Sequence, residues 1–180
     1  MMKRLYLPLF LFLFLILEGV ALELLPASLI MSDYLIVPHW VFIFLVYLAI
    51  FYDEENTYFS VVYALAFGLL IDIVYTGILG VYMFSYGLIT YIIHGVKKVL
   101  HGNFYVTVLL GLMGLALADI SINGIFIVVG ISDMLWKDYF TYRLLPTVIS
   151  NLVFLLVLYP VMVKRLIRWS KEQLAGRNTI

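Results

Sequence analysis

Three acids stand where an acid is hardest to place: Glu18, Asp72 and Asp119 each lie inside a long apolar run. A carboxylate at the centre of a bilayer costs about 2.5–3.5 kcal/mol on insertion scales, so each should face protein or water rather than lipid. Two kinds of chemistry fit such groups. They could exchange protons, or they could hold the polar groups of neighbouring helices. Counting from the inner ends of their runs at about 1.5 Å per residue, each acid lies roughly 20 Å up. That common height suggests a polar pocket open to the outside, or polar contacts between helices. Ionised together in a dry cluster they would repel, so protonation or hydrogen bonding is expected of some. Glu23 lies further out, at the interface.

Asp72 has the most structured surroundings. Ala64, Gly68 and Asp72 are spaced i, i+4, i+8 and stack on one helix face. Two small residues let a neighbouring helix come close, and the carboxylate follows one turn later. Gly77 and Gly80 then allow a tight turn into the next run. A second small face joins Thr107, Gly111, Gly114 and Ala118, another seam for helix packing. Asp119 and Asn123 form a polar stripe beside it. Asp72-Ile-x-x-x-Gly77 is faintly echoed by Asp119-Ile-x-x-x-Gly124.

Other chemistry finds little footing. Cys is absent, which excludes disulfides, thiolate metal sites and a Cys nucleophile. His94 and His101 flank Lys97 and Lys98 with no carboxylate close by, and His39 sits beside Trp40; all three read as interfacial histidines rather than metal ligands. No HExxH, GxSxG, P-loop or dinucleotide fingerprint occurs. The sequence therefore points to no enzyme activity, no cofactor, no metal and no nucleic acid.

The elements that must position these residues are membrane helices. Of 180 residues, 65% are hydrophobic and 12% charged, with a mean hydropathy of +1.10. A soluble domain would be about half apolar and a quarter charged. The excess extends over the whole chain, so a single all-α integral membrane domain, residues 1–180, is expected. Six spans are read at 5–25, 37–52, 58–75, 79–96, 104–131 and 145–163, the fifth long enough to tilt or to break near Gly124. The first resembles a signal peptide at its basic start, but its length and the lack of a small-x-small cleavage pattern favour a retained span.

Six spans put both ends on one side. With the N-terminus in the cytoplasm, nine of the 11 Lys and Arg residues fall inside and only Lys137 and Arg143 outside, a strong positive-inside bias. Residues 26–36 and 132–143 are semi-apolar and aromatic, suited to lie at the outer interface as anchors or as a partner-binding edge. Residues 164–174 group Leu166, Ile167, Ser170 and Leu174 on one side and basic residues on another, as a helix end reaching towards anionic lipid.

The run from Asp53-Glu54 through Gly68-Leu69-Leu70-Ile71-Asp72 to Leu79-Gly80, followed by Tyr86 and Tyr91, resembles the rod shape-determining MreD family. The topology matches over nearly the whole chain, and the motif covers residues 68–80. The resemblance marks Gly68, Asp72 and Gly80, and not Glu18 or Asp119. It implies a multi-pass subunit of the bacterial cytoplasmic membrane, with both termini cytoplasmic, serving the machinery that builds lateral peptidoglycan. The partners it implies are a single-span MreC-type protein, a RodA-type glycosyltransferase, a class B penicillin-binding protein and, indirectly, MreB. It also implies a fold similar to the S-component of energy-coupling-factor transporters. The alternative it raises is a vitamin-type binding subunit, although the alanine-x-x-x-alanine face typical of S-components is missing from residues 5–25.

Overall fold

The computed structural model describes residues 5–23, 34–100 and 102–177, without the side chains of Leu22 and residues 173–177. Lys3, Arg4, residues 26–33, His101 and the Leu174 side chain, all used above, lie outside the described residues. What is described is helical: α1 (Tyr6–Glu23), α2 (Trp40–Tyr47), α3 (Phe59–Ile71), α4 (Val81–Leu100), α5 (Phe104–Val128) and α6 (Leu145–Arg177). Wider π turns extend α2 through Leu48–Tyr52 and α3 through Asp72–Thr76, and another, Tyr139–Leu144, leads into α6. Three helical stretches are long and apolar enough to cross a membrane, Phe59–Thr76, Phe104–Val128 and Trp136–Glu172; Tyr6–Ala21 and Trp40–Tyr52 are shorter apolar helices.

The core forms around α2. Its sequence, WVFIFLVY, has no polar side, and a helix that is apolar all round must be covered on every face. Every residue from Val41 to Ala49 is at most 1% exposed, and α2 touches each of the other five helices. With its π turn it is 13 residues, about 20 Å, so the span read at 37–52 is a short central rod rather than a lipid-facing helix. Outside it, α3 and α4 form a close antiparallel hairpin, and α4, α5 and α6 follow in contact order. On α4 the buried side runs Val81, Tyr82, Ser85, Tyr86, Ile89, Thr90, Ile93 and His94, a helical stripe. The opposite side exposes Phe84, Leu88, Tyr91 and Ile92. Apolar residues on both sides of a helix fit protein on one and hydrocarbon on the other.

Several boundaries move. α5 runs unbroken through Gly124 and ends at Val128, before the left-handed Gly130 (φ 77°). Beyond the span read at 145–163, α6 continues as one helix to Arg177, in keeping with the helix end read at 164–174. Its tail is docked: Leu166 is fully buried, Trp169 stacks on Tyr6 at 5.7 Å, and Ser170 Oγ donates to the Tyr52 carbonyl at 3.0 Å. The side expected to reach towards lipid thus partly meets the protein itself. The beginning of α1 and the end of α6 therefore share one end of the bundle, called here the terminal end; Asp72 and Asp119 lie towards the far end.

Candidate functional site

The Ala64–Gly68–Asp72 face meets the first turn of α4. A helix begins with four backbone amides that have no partner in the helix. Asp72 supplies one from the neighbouring helix: Oδ2 accepts from Gly80 N at 2.9 Å and Met83 N at 3.2 Å, and Oδ1 accepts from Tyr82 N at 2.9 Å. The carboxylate also sits at the positive end of the α4 dipole. One turn earlier, Gly68 makes the approach possible. A Cβ there would lie 2.7 Å from Met83 Cα and 2.8 Å from both Met83 N and Tyr82 C. Between them, Gly77 closes the π turn in the left-handed region (φ 69°), its amide donating to the Asp72 carbonyl at 2.9 Å, and Gly80 holds φ 101° at the entry to α4. Residues 68–80 are thus one device, a hairpin in which an acid on one helix caps the next.

The same device recurs twice. Glu18 Oε1 accepts from Val41 N at 2.7 Å, at the start of α2. Asp53, in the α2–α3 connection, accepts from Phe59 N at 3.0 Å, Ser60 N at 2.9 Å and Ser60 Oγ at 2.5 Å, at the start of α3. Burial pushes the Asp53 carboxyl up to about 6, against the lowering effect of the Ser60 and Phe59 hydrogen bonds and of Lys97. α5 carries its own cap, Asn103, whose Oδ1 accepts from Val106 N at 2.9 Å.

The buried α2 is satisfied at its other end too. Lys97 Nζ donates to the carbonyls of Ala49, at 2.9 Å, and Asp53, as a cation suits a helix C-terminus. Tyr47 Oη donates to the Leu155 carbonyl. At its far end, His39 N donates to Asn151 Oδ1 at 2.8 Å, and Asn151 Nδ2 donates to the carbonyls of Val37 and Thr147, both at 2.8 Å.

Asp119 belongs to a different arrangement. His39 Nε2 lies 3.3 Å from its Oδ1, Tyr139 Oη donates to its Oδ2 at 2.6 Å, and Arg143 Nη2 lies 3.4 Å from Oδ1. A carboxylate only accepts, so His39 Nε2 is the donor there, and Nδ1 shares a hydrogen bond of 2.7 Å with Tyr86 Oη. His39, Tyr86, Asp119 and Tyr139 are all fully buried. This network ties α2, α4, α5 and the turn before α6 together at one point.

Three expectations are corrected by these contacts. His39 is a core residue, not an interfacial one. The acids do not share an open pocket; each is at most 5% exposed, and each has its own partners, of the interhelical kind that was the other possibility. His94 does have a carboxylate beside it, since Asp53 Oδ2 lies 3.8 Å from its Nδ1. The echo between Asp72 and Asp119 also dissolves. Gly77 ends a helix while Gly124 sits inside one, and Asp72 binds backbone while Asp119 binds side chains.

The second seam is filled from within. A Cβ on Gly111 would meet Leu155 Cδ1 of α6 at 2.3 Å, and one on Gly114 would meet Ile93 Cδ1 of α4 at 2.6 Å. Thr107 and Ala118 are fully buried. Neither seam is open to a helix from another protein.

The sequence model of the family described as rod shape-determining protein MreD matches residues 3–168. The chain belongs to the MreD family. Within it, the rod shape-determining protein MreD of Bacillus subtilis (strain 168) is 29% identical over 163 residues, which is 87% of this chain and 90% of that one. No solved structure matches. Membership places the chain among membrane-associated proteins that determine rod shape. The residues that the hairpin uses, Gly68, Asp72 and Gly80, fall within the matched region, as do Glu18, Asp53, Asp119 and His39.

Proposed function

We propose that this protein is a non-enzymatic scaffold of the bacterial elongation machinery, linking an MreC-type single-span protein to lateral peptidoglycan synthesis. A RodA-type glycosyltransferase and a class B penicillin-binding protein are its further partners, with MreB reached indirectly. The observation that carries this reading is the use made of the intramembrane acids. Glu18 and Asp72 bind backbone amides that begin other helices, and Asp119 closes a buried network. Their chemistry holds a shape. The far-end acids are taken up by protein groups, Asp72 by backbone amides and Asp119 by His39, Tyr139 and Arg143. Asn123 Nδ2 and Arg143 Nε are buried there without a hydrogen-bond partner. The use of both acids within the fold favours a scaffold over a vitamin-binding subunit with an S-component-like pocket.

The six helices cross the cytoplasmic membrane, α2 as the short central one, with the terminal end in the cytoplasm. That end carries Lys97, Lys98, Lys164, Arg165, Arg168 and Lys171, in line with the positive-inside rule. Because both small-residue seams are occupied internally, partner contact is assigned to the far-end rim. Tyr34, Leu35, Leu135, Trp136 and Phe140 are 47–71% exposed there, and Leu35 N donates to the Tyr142 carbonyl at 2.8 Å, joining the two loops. Exposed aromatic residues are favoured anchors for a partner. The test is complementation of a strain lacking its own copy, with a Trp136→Ser, Phe140→Ser double variant. Normal membrane level with lost rod shape and lost co-purification of the MreC-type protein is expected. Full recovery of that protein at normal level overturns the rim assignment, and turnover of a peptidoglycan precursor by the purified chain alone overturns the scaffold reading.

A further inference from the structure

α1 and α6 are not parallel neighbours along their whole length. At the terminal end they are joined by rings: Tyr6 and Phe10 against Trp169, with centroids 5.7 and 6.2 Å apart, and Phe14 edge-on to Phe154 at 5.6 Å. Around Phe154 they leave a gap between them. The gap is a cavity of about 380 Å³ lined by Ala21 of α1, Ile36 and Pro38 before α2, Trp40, and Val153, Phe154 and Val157 of α6. Ser150 also lines it, and its hydroxyl donates to the Thr147 carbonyl at 3.1 Å. Trp40 and Phe154 stack at 4.7 Å to form part of its wall.

The size and surroundings of this cleft restrict what can fill it. A helix at least ~10 Å across has a cross-section of roughly 80 Å², so the cleft would take only about one turn of it. The aromatic contacts below also block a helix from continuing along it. Two residues of the α6 wall are apolar and exposed, Val153 57% and Val157 66%, and α1 exposes Ile16 60% and Val20 40%. In a membrane protein such a belt faces hydrocarbon. An apolar cavity stays dry and takes up apolar matter of the right width, and an unfilled one forfeits dispersion contacts along its walls. A single hydrocarbon chain entering sideways meets all these conditions.

We infer that the α1–α6 cleft is a binding site for one acyl chain of a membrane phospholipid. The inference rests on the membrane placement proposed above but not on any partner. The chain packs against Trp40, the residue of α2 that lines the cleft, and against Phe154, so the lipid becomes part of the fold between α1 and α6.

Trp40 is a built-in reporter. In purified protein carrying Trp136→Phe and Trp169→Phe, titration in detergent with phosphatidylcholine brominated at mid-chain should quench Trp40 emission with saturation at one lipid per chain. Adding Ala21→Phe, which fills the cleft, should abolish that saturable loss. Adding Ile16→Phe, equally bulky on the lipid-exposed side of α1, should leave it intact. Quenching that rises without saturation, or that is the same with Ala21→Phe, overturns the site. So does a dimer that Ala21→Phe dissociates, because a second copy would then be the occupant. If the substituted chains do not fold, native mass spectrometry of the unaltered protein decides. One phospholipid retained after the others are stripped supports the site, and loss of all lipid together overturns it. A negative result here with intact rod-shape complementation would leave the scaffold reading standing.

Discussion

Two of the helix pairs that meet at glycine, α3 with α4 and α5 with α6, do so for different reasons. At Gly68 the α3 surface touches the backbone of α4, with Met83 Cα, Met83 N and Tyr82 C all within 2.8 Å of where a Cβ would be. At Gly111 the α5 surface touches one methyl of Leu155, the movable tip of a side chain. Both glycines sit in small-residue runs of the same kind in the sequence. The difference lies in what stands opposite. Backbone cannot rotate away, so Gly68 fixes the spacing of the hairpin, and that spacing brings Asp72 within reach of the α4 amides. Leu155 can change rotamer, so Gly111 fits its neighbour without dictating where the helix lies. A small-residue seam thus has two grades, and only the first is a geometric requirement.

The hairpin should therefore be the more fragile of the two, and the largest effect belongs to Asp72→Leu. It removes the acceptor of three amides, each costing about 1–3 kcal/mol when left buried without a partner. The variant should not accumulate as folded protein, read as membrane level and as a monodisperse peak in detergent. Asp72→Asn retains one carbonyl oxygen and should give an intermediate loss. If Asp72→Leu folds with unchanged thermal stability, the cap contributes nothing and the hairpin is held by apolar packing alone.

Gly68→Ala should come next, destabilising by about 1–3 kcal/mol as other overpacked sites do. Thermal unfolding in detergent measures it. The loss should be accompanied by weaker protection of the Gly80, Tyr82 and Met83 amides from hydrogen exchange, because moving α4 away also loosens the Asp72 cap. A loss of stability without loss of that protection would separate the two residues and break the idea that they form one device.

The hairpin has caps at both ends, and they differ in setting. Asp53 begins α3 at the terminal end with His94 and Lys97 facing it. Its carboxyl, raised from 3.8 to about 6, favours the protonated form in the folded state. Its contribution to stability is therefore complete below about pH 4 and is lost as pH rises through about 6, an effect of about 1–3 kcal/mol. Wild-type protein should unfold at a higher temperature at pH 5 than at pH 7.5, and Asp53→Asn should flatten that difference. An unchanged profile would mean that Asp53 is solvated in the folded protein.

How much of this was legible follows from how far apart the partners lie in the chain. The stacking of Ala64, Gly68 and Asp72 follows from helical spacing, and the target amides lie only 8–11 residues on, so the hairpin could be read as a unit. What Asp72 holds could not, because backbone amides leave no mark in a sequence. His39 and Asp119 are 80 residues apart and His39 and Asn151 are 112 apart; no local pattern joins them. Asp53 caps from six and seven residues upstream, across a loop, rather than from the position next to the helix where a cap is usually sought. The apolar run of α2 is equally compatible with lipid or with protein on every side, so its central place had to come from packing. The helix end at 164–174 was legible from its spacing, but its docking depended on Leu166, Trp169 and Ser170 meeting other helices.

The smallest effect is the one that tests the comparison most finely. Gly111→Ala puts a methyl 2.3 Å from the present position of Leu155 Cδ1, which is too close without movement. The next contact to Leu155 is at 3.8 Å, so a rotation of the leucine tip suffices to relieve the overlap. Against the cost of that rotation stands the gain from replacing glycine inside a helix, about 1 kcal/mol. The two nearly cancel, and the variant should unfold within about 1 kcal/mol of wild type. Its partner test is Leu155→Ala, which leaves a void at the same place and should cost about 2–5 kcal/mol. Combined with Gly111→Ala, part of that loss should be recovered, because the new methyl occupies some of the void. Such coupling is the expected mark of a seam made of side chains. At Gly68 no partner truncation can rescue, since the atoms opposite are backbone. If Gly111→Ala is as damaging as Gly68→Ala and Leu155→Ala does not relieve it, the α5–α6 seam is also set by backbone, and the distinction between the two grades fails.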